Sequence, residues 1–392
     1  MRIKRLSKCF LIFAFALTLT LGTPLVVAST KPKPTWTFIV YLDCDNSLDM
    51  FGPINLQQMS NGLASGANVN VIVLMDRLNQ PAYTYEVTSG ATKIVQSLGE
   101  VDMGNPVTLT AFVVFAIENY SADHYFLDLW DHGGGYRGVC WDESSGNHLS
   151  PHDVETALAS AEAKTGSKID VVGFDACLMG MAEVCYELKD VTNIVIGSEM
   201  LVPGYGWPYT QLMAYLSNNL TVDMYTLSGE LIKEYVAYYP KYTVQLSAIN
   251  EAEMPAFALS LDNLANALKA NVAAYYKVIS DARGSSQQNH ILGTGSAYYY
   301  IDLYDFVSSI NVNLHDTSIE TKCANLISEF DLAVFAEGHT AKLASLDKKE
   351  FGLTINFPPN SKQYSIGYEV YVPCFIQETT WLSFLKAYYN AA

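Results

Sequence analysis

The chain has 392 residues of which 50% are hydrophobic, enough to bury one large core or two moderate ones, and disorder is excluded. Forty acidic residues against 23 basic ones give a formal charge of −17, which leaves no basic surface to displace counterions, so nucleic acid is excluded as a partner. The N-terminus carries Arg2, Lys4, Arg5 and Lys8, then the apolar run 10–21, then the small-residue ending Val26-Val27-Ala28. That pattern is an export leader, residues 1–28. Its removal would take four basic charges and bring the formal charge to −21. No later apolar stretch approaches the roughly 18 residues of a membrane span, so the mature form is expected without one, secreted or associated with the cell envelope. Residues 29–35 read as a linker.

The folded part opens at 36–42, a run apolar on both faces, as a buried parallel strand requires. Similar runs recur at 69–75, 124–130, 169–174 and 193–197. Segments 107–119 and 150–164 between them have helical period, and the second begins with Ser150 as N-cap, Pro151 at the first helical position and Asp153 in the first turn. This alternation predicts an α/β domain over residues 36–249, a mostly parallel sheet with helices on both faces and a site at the strands' C-terminal ends. From residue 250 the texture changes to a long helical stretch at 252–281, a polar loop at 283–289 and a buried strand at 352–357 stopped by Pro358-Pro359. Residues 250–392 therefore read as a C-terminal accessory α+β unit.

Two of the apolar runs end on reactive side chains: 125–130 stops at Asp131-His132-Gly133-Gly134-Gly135, and 169–174 at Asp175-Ala176-Cys177-Leu178. A histidine base and a cysteine at the ends of neighbouring strands form the arrangement that a cysteine nucleophile needs. Leu178, Met181, Val184, Cys185 and Leu188 make a helical stripe, which predicts Cys177 at or just before a helix N-terminus. There the macrodipole and free N–H groups favour thiolate. Backbone amides of Gly133 and Cys177 are the oxyanion-hole candidates, glycine allowing close approach. Asp175, two residues before Cys177, would point to the same side of an extended strand. A carboxylate there raises the thiol pKa, so it fits better as the receptor for a cationic substrate side chain, the alternative being a cap for the next helix.

The motifs Asp131-His132-Gly133-Gly134-Gly135-Tyr136 and Gly173-Phe174-Asp175-Ala176-Cys177-Leu178-Met179-Gly180 resemble those of the clostripain family of cysteine peptidases. The likeness extends through 36–49, Asp76, Ser198-Glu199, 203–209, 302–306 and 352–358. It implies a caspase-like fold, with gingipains and legumains as more distant relatives, and a secreted endopeptidase that cleaves after Arg or Lys. His132 and Cys177 would be its catalytic pair and Asp175 its pocket residue. Substrates would be proteins or peptides with Arg or Lys at the cleavage site. The alternative is a catalytically silent caspase-like binding or surface-interaction protein. Family members are often matured by a cut in the loop between the two active-site strands, yet no Lys or Arg occurs from Gly138 through Ala163. Tyr205 stands in a loop where some relatives add a second acidic residue.

Other features carry less. Gly133-Gly134-Gly135-Tyr136-Arg137-Gly138 fits G-x-G-x-x-G, but the segment from Val139 reads as a strand and not the helix that a pyrophosphate needs. Asp43 and Asp45 are calcium candidates, against the simpler reading in which Asp45 or Asn46 caps the next helix; no cofactor is required. His148 and His152 straddle a helix start and make a poor zinc pair. Cys185 reads as core, and the six cysteines beyond the leader are too sparse and irregular for a disulfide scaffold.

Overall fold

The structure, a computed structural model, describes residues 33–289, 299–345 and 350–392. The leader 1–28 and the first part of the linker lie outside the described residues. Five β-branched and aromatic runs form a parallel sheet: β1 (Trp36–Cys44), β2 (Asn70–Arg77), β5 (His124–Trp130), β8 (Val171–Asp175) and β9 (Ile194–Gly197). Two further strands, β3 (Gln80–Thr88) and β4 (Ala91–Gly99), extend one edge as an antiparallel hairpin. At the other edge β10 (Gln245–Asn250) and β13 (Val334–His339) run antiparallel, giving the order β13-β10-β9-β8-β5-β1-β2-β3-β4. Short strands complete the set: β6 (Val139–Asp142) pairs with β7 (Asn147–Leu149), and β11 (Gln288–Asn289), β12 (Tyr300–Asp302) and β14 (Thr354–Asn356) form a small sheet.

All nine residues of β1 are buried, and they alternate between two cores as the strand period requires. Ile39 and Tyr41 face one core with helices α2 (Pro106–Asn119), α3 (Pro151–Thr165) and α4 (Ala182–Leu188). Phe38, Val40 and Leu42 face the other, with α1 (Gly52–Gly62), α5 (Tyr209–Asn218) and α6 (Met224–Tyr238). Helix α3 begins as its sequence predicts: the Ser150 hydroxyl accepts from the Asp153 N–H, the Asp153 carboxylate accepts from the Ser150 N–H, and Pro151 stands at the first turn.

The segment after residue 250 is not a separate body. The long helical stretch is two helices, α7 (Met254–Ala270) and α8 (Val272–Ser285), broken at Asn271. With α9 (Leu303–Asn313), α10 (Thr317–Ala333) and the terminal helices α12 (Gly367–Tyr371), α13 (Pro373–Glu378) and α14 (Trp381–Asn390) it adds to the α2–α4 core, while the short α11 (Ala341–Ala344) lies outside it. It also supplies β13 to the main sheet. Residues 33–392 therefore form one unit, and the expected accessory unit corresponds to chain that completes the first core and one sheet edge. Among the described residues no helix is long and apolar enough to cross a membrane.

Candidate active site

β5 and β8 are adjacent and end in register, Trp130 opposite Asp175. The loops that begin at Asp131 and Ala176 therefore leave the sheet side by side at its C-terminal edge. They enclose a pocket of about 170 Å³ that His132, Cys177 and Asp175 line together with Trp130, Val202 and Gly206. His132 and Cys177 are partly buried, whereas Asp175 is 3% exposed. The three residues singled out from two strand ends thus meet at one cavity.

Cys177 does not sit at a helix start. Helix α4 begins at Ala182, and residues 176–181 form an intervening turn in which Leu178 takes a left-handed backbone, φ +66°. The macrodipole expected to favour thiolate is too far away to act, since it fades within the first turn. Burial, then the charges of Asp175 and Asp131, push the thiol up to about 11. Two backbone N–H groups oppose this: Val202 N–H donates to Sγ at 3.3 Å, and Gly133 N–H also points at the sulfur. Gly133 is required there by space, because a Cβ would overlap the Cys177 carbonyl oxygen. Gly133 thus packs directly against the Cys177 backbone.

His132 Nε2 lies 2.9 Å from the Ser47 hydroxyl. Burial lowers its pKa below the ordinary 6.5, with Glu143 pulling the other way. Both shifts favour the uncharged forms, a thiol and a neutral imidazole, over an ion pair. Ser47 belongs to the turn after β1, and its neighbour Asn46 secures that turn by donating to Asp131 Oδ1 at 2.7 Å and to the Trp141 carbonyl at 3.0 Å. Asp131 also accepts from the Trp141 N–H, so it braces the histidine loop from below. Neither Asn46 nor Asp45 caps helix α1, whose N-cap is Phe51. Ser47 was not legible as a site residue, although β1 pairs directly with β5 and its loop must lie beside His132.

Asp175 caps no helix. Its Oδ2 accepts from the Trp207 N–H at 2.7 Å and from the Tyr209 hydroxyl at 2.8 Å, while Oδ1 is buried with no partner. Gly206, at φ +66°, closes over it so tightly that a Cβ would collide with Oδ2. The Tyr209 hydroxyl is also 2.6 Å from Asp128 Oδ2, yet it has a single proton and can donate to only one carboxylate. Burial, then the charge of Asp175, hold Asp128 well above the ordinary carboxylate range. Asp128 is accordingly the protonated member, and the negative charge rests on Asp175. Burial raises Asp175 itself to about 7, against the lowering effect of its two donors. Asp128, Trp207 and Tyr209 were missed by sequence reasoning; the one available signal was an aspartate inside the otherwise apolar run of β5.

Tyr205 does not line the pocket; its ring packs edge-on against Phe51, centroids 5.2 Å apart. His148 stacks on Trp141 and His152 lies 3.1 Å from Glu187, so they share no metal geometry. Cys185 is fully buried in the core. The glycine run continues into a single turn, Gly135–Arg137, and then β6, so no helix comes after it. Asp43 accepts from the Asp45 N–H at 3.1 Å, and the Asp45 carboxylate lies among those of Asp76, Glu100 and Asp142.

A family model for clostripain, peptidase family C11, matches residues 40–388. The chain belongs to the clostripain family. Clostripain of Hathewaya histolytica is 24% identical over 408 residues, covering 85% of this chain and 76% of the relative. The solved structure of an inactive zymogen C11 protease from Parabacteroides distasonis superposes with a TM-score of 0.67 at 20% identity, covering 92% of this chain and 99% of that one. A secreted C11 cysteine protease from Bacteroides thetaiotaomicron, in complex with an irreversible peptide inhibitor, gives 0.68 at 20% identity over 88% and 98%. This clostripain-family cysteine peptidase therefore has the mostly parallel α/β architecture of its relatives.

Proposed function

We propose that this peptidase is exported and hydrolyses peptide bonds after arginine or lysine, with Cys177 as nucleophile and His132 as base and acid. The observation that carries the reading is the Asp175 carboxylate, buried in the same pocket as Cys177 and His132 with Oδ1 unpartnered. A buried anion with a free acceptor is costly unless a ligand supplies the cation, and a guanidinium or ammonium does so. With the side chain seated there, the scissile carbonyl comes to Cys177. His132 takes the thiol proton as Sγ attacks, and the amides of Gly133 and Cys177 receive the developing oxyanion. The same histidine then protonates the leaving amine and activates the water that releases the acyl group. Export is supported by the charged-then-apolar pattern of residues 1–28 and by the description of the similar Bacteroides protease as secreted.

The test is labelling by an irreversible arginine-directed electrophile under reducing conditions. The wild type should be modified at one site and Cys177→Ala should not. Failure of the wild type to react would return the chain to the catalytically silent reading.

A further inference from the structure

The wall of the pocket continues outward as an apolar shelf. Leu48, Leu201 and Gly204 belong to the wall itself, and Met50, Phe51 and Tyr205 are their neighbours in the two loops that supply them. Met50, Leu201 and Tyr205 are 63%, 45% and 50% exposed. They are not scattered. Gly204 lies flat on Phe51, where an added Cβ would meet the ring at 3.0 Å, and the Tyr205 ring stands edge-on to the same phenyl group. Contiguous apolar side chains left in water beside a reactive cavity mark a binding surface. The shelf is also held rigidly. The Gly206 N–H donates to the Pro203 carbonyl at 2.8 Å, the Asn55 amide to the Tyr205 carbonyl at 2.8 Å, and the Tyr239 hydroxyl to the Gly206 carbonyl at 2.7 Å. On the other loop the Phe51 N–H donates to the Leu48 carbonyl at 2.8 Å at the start of α1.

The strand order says which part of a substrate crosses it. β8 lies between β9 and β5, so Cys177 has the loop after β9 on one flank and His132 on the other. His132 must reach the nitrogen that leaves, and it also borders a second cavity, with Trp141 and His148 and without Cys177. The part of the substrate after the scissile bond therefore passes on the histidine flank. The part before it passes over the loop after β9, where Val202 meets the sulfur and Leu201 and Tyr205 reach the surface. We propose that Leu201, Phe51 and Tyr205 hold an aliphatic or aromatic side chain from one of the two substrate residues before the basic one. The inference rests on the proposed function, which supplies the basic residue and the direction of the chain. A tyrosine ring offers a large contact face at low entropic cost, and the anchored backbone leaves little to be ordered on binding. The peptidase then reads two features, a cation at Asp175 and an apolar group ahead of it.

The experiment measures kcat/KM on fluorogenic peptides cleaved after arginine that differ only in having Leu, Phe, Gly or Ser at either of the two preceding positions. At one of those positions Leu or Phe should exceed Gly by about tenfold, mostly through KM, the low end for apolar contacts because the shelf is half open. Tyr205→Ala and Leu201→Ala should each cut that preference by about threefold or more. Tyr205→Phe should keep it, because the ring and not the hydroxyl makes the surface, and so should Leu259→Ala, exposed on α7. The ratio between matched peptides does not move when a variant merely yields less folded enzyme. Cleavage after arginine at equal rates on the Leu, Phe and Gly peptides would overturn the shelf while leaving the proposed function standing. A preference that survives in both Tyr205→Ala and Leu201→Ala would do the same. Failure to cleave any of the arginyl peptides would refute the proposed function, and the shelf with it.

Discussion

Asp175→Asn isolates the pocket anion with little change of shape. The amide oxygen can still accept from the Trp207 N–H and the Tyr209 hydroxyl, so both donors to Oδ2 stay satisfied. What changes is the edge that Oδ1 presents to the ligand, where a bare acceptor becomes an N–H donor facing the donors of a guanidinium. A desolvated charge left without its partner costs about 2–5 kcal/mol. Because the amide is isosteric but repulsive, we take about 3–4 kcal/mol, or roughly a 150- to 1,000-fold loss of kcat/KM on arginyl substrates. The pH profile supplies a second readout. Burial holds Asp175 near 7, and only its ionised form binds the cation, so wild-type kcat/KM should fall as pH drops through that value. In Asp175→Asn the remaining acid limb belongs to His132, whose pKa lies below 6.5 because of burial, so the limb should move to lower pH. Steady-state kinetics on matched arginyl and neutral peptides between about pH 5 and 8 measures both effects. An Asp175→Asn variant that kept its arginine preference, or its original acid limb, would refute the assignment of the pocket charge.

Three further outcomes are expected. Gly133→Ala places a methyl group into the Cys177 carbonyl; the loop must shift, and kcat should fall by about 100-fold or more, as for loss of an oxyanion donor, with KM moving little. Ser47→Ala removes the hydroxyl at His132 Nε2 and should lower kcat by roughly tenfold at unchanged KM, the share of a single net hydrogen bond of about 1–1.5 kcal/mol. The stretch between the two site strands holds Arg137 inside the Gly135–Arg137 turn, Lys164 at the end of the well-capped helix α3 and Lys168 in the short segment before β8, and no basic residue from 138 to 163. Intact-mass analysis of the purified active enzyme should therefore find residues 138–163 in one piece.

The parts of this fold that could be read from sequence are those in which local pattern and tertiary role agree. The five parallel strands are buried on both faces and so are mostly apolar, and α3 carries a complete N-terminal signature. By contrast β4 exposes much of both faces, and β13 has the mixed sequence Val-Phe-Ala-Glu-Gly-His, so their strand character comes from pairing at a sheet edge. The helix proposed at Cys177 failed for an identifiable reason. The apolar residues Leu178 and Met181 are buried by a turn held against residues 198–200, through Leu178 N–H to the Met200 carbonyl and Gly180 N–H to the Ser198 carbonyl. A helical stripe beginning at 178 and a packed turn leading into a helix at 182 have the same hydrophobic pattern. His132, Asp175 and Cys177 were legible because strand ends announce themselves, whereas Ser47, Tyr209 and the carboxylates around Asp45 converge only through topology.

Recognition and reactivity are electrostatically joined in this pocket, and the join has a sign. The Asp175 charge is one of the causes that raise the Cys177 thiol to about 11, an arrangement that opposes catalysis as long as the pocket holds no cation. A guanidinium bound at Asp175 cancels that charge, so the thiol pKa should fall when, and only when, a basic side chain is seated. On the proposed function, Cys177 would then be held back until a basic side chain is seated. A neutral alkylating reagent reads the effect directly, since the thiolate fraction sets its rate below the thiol pKa. Iodoacetamide should modify Cys177 faster in the presence of a small guanidinium compound, about tenfold for each pKa unit relieved, less a factor for the lower intrinsic nucleophilicity of the more acidic thiol. Asp175→Asn should react faster than wild type without the additive and show no further acceleration with it. Protection of the wild-type thiol by the guanidinium, together with slow alkylation of Asp175→Asn, would mean that the carboxylate serves recognition alone and that burial by itself sets the reactivity of Cys177.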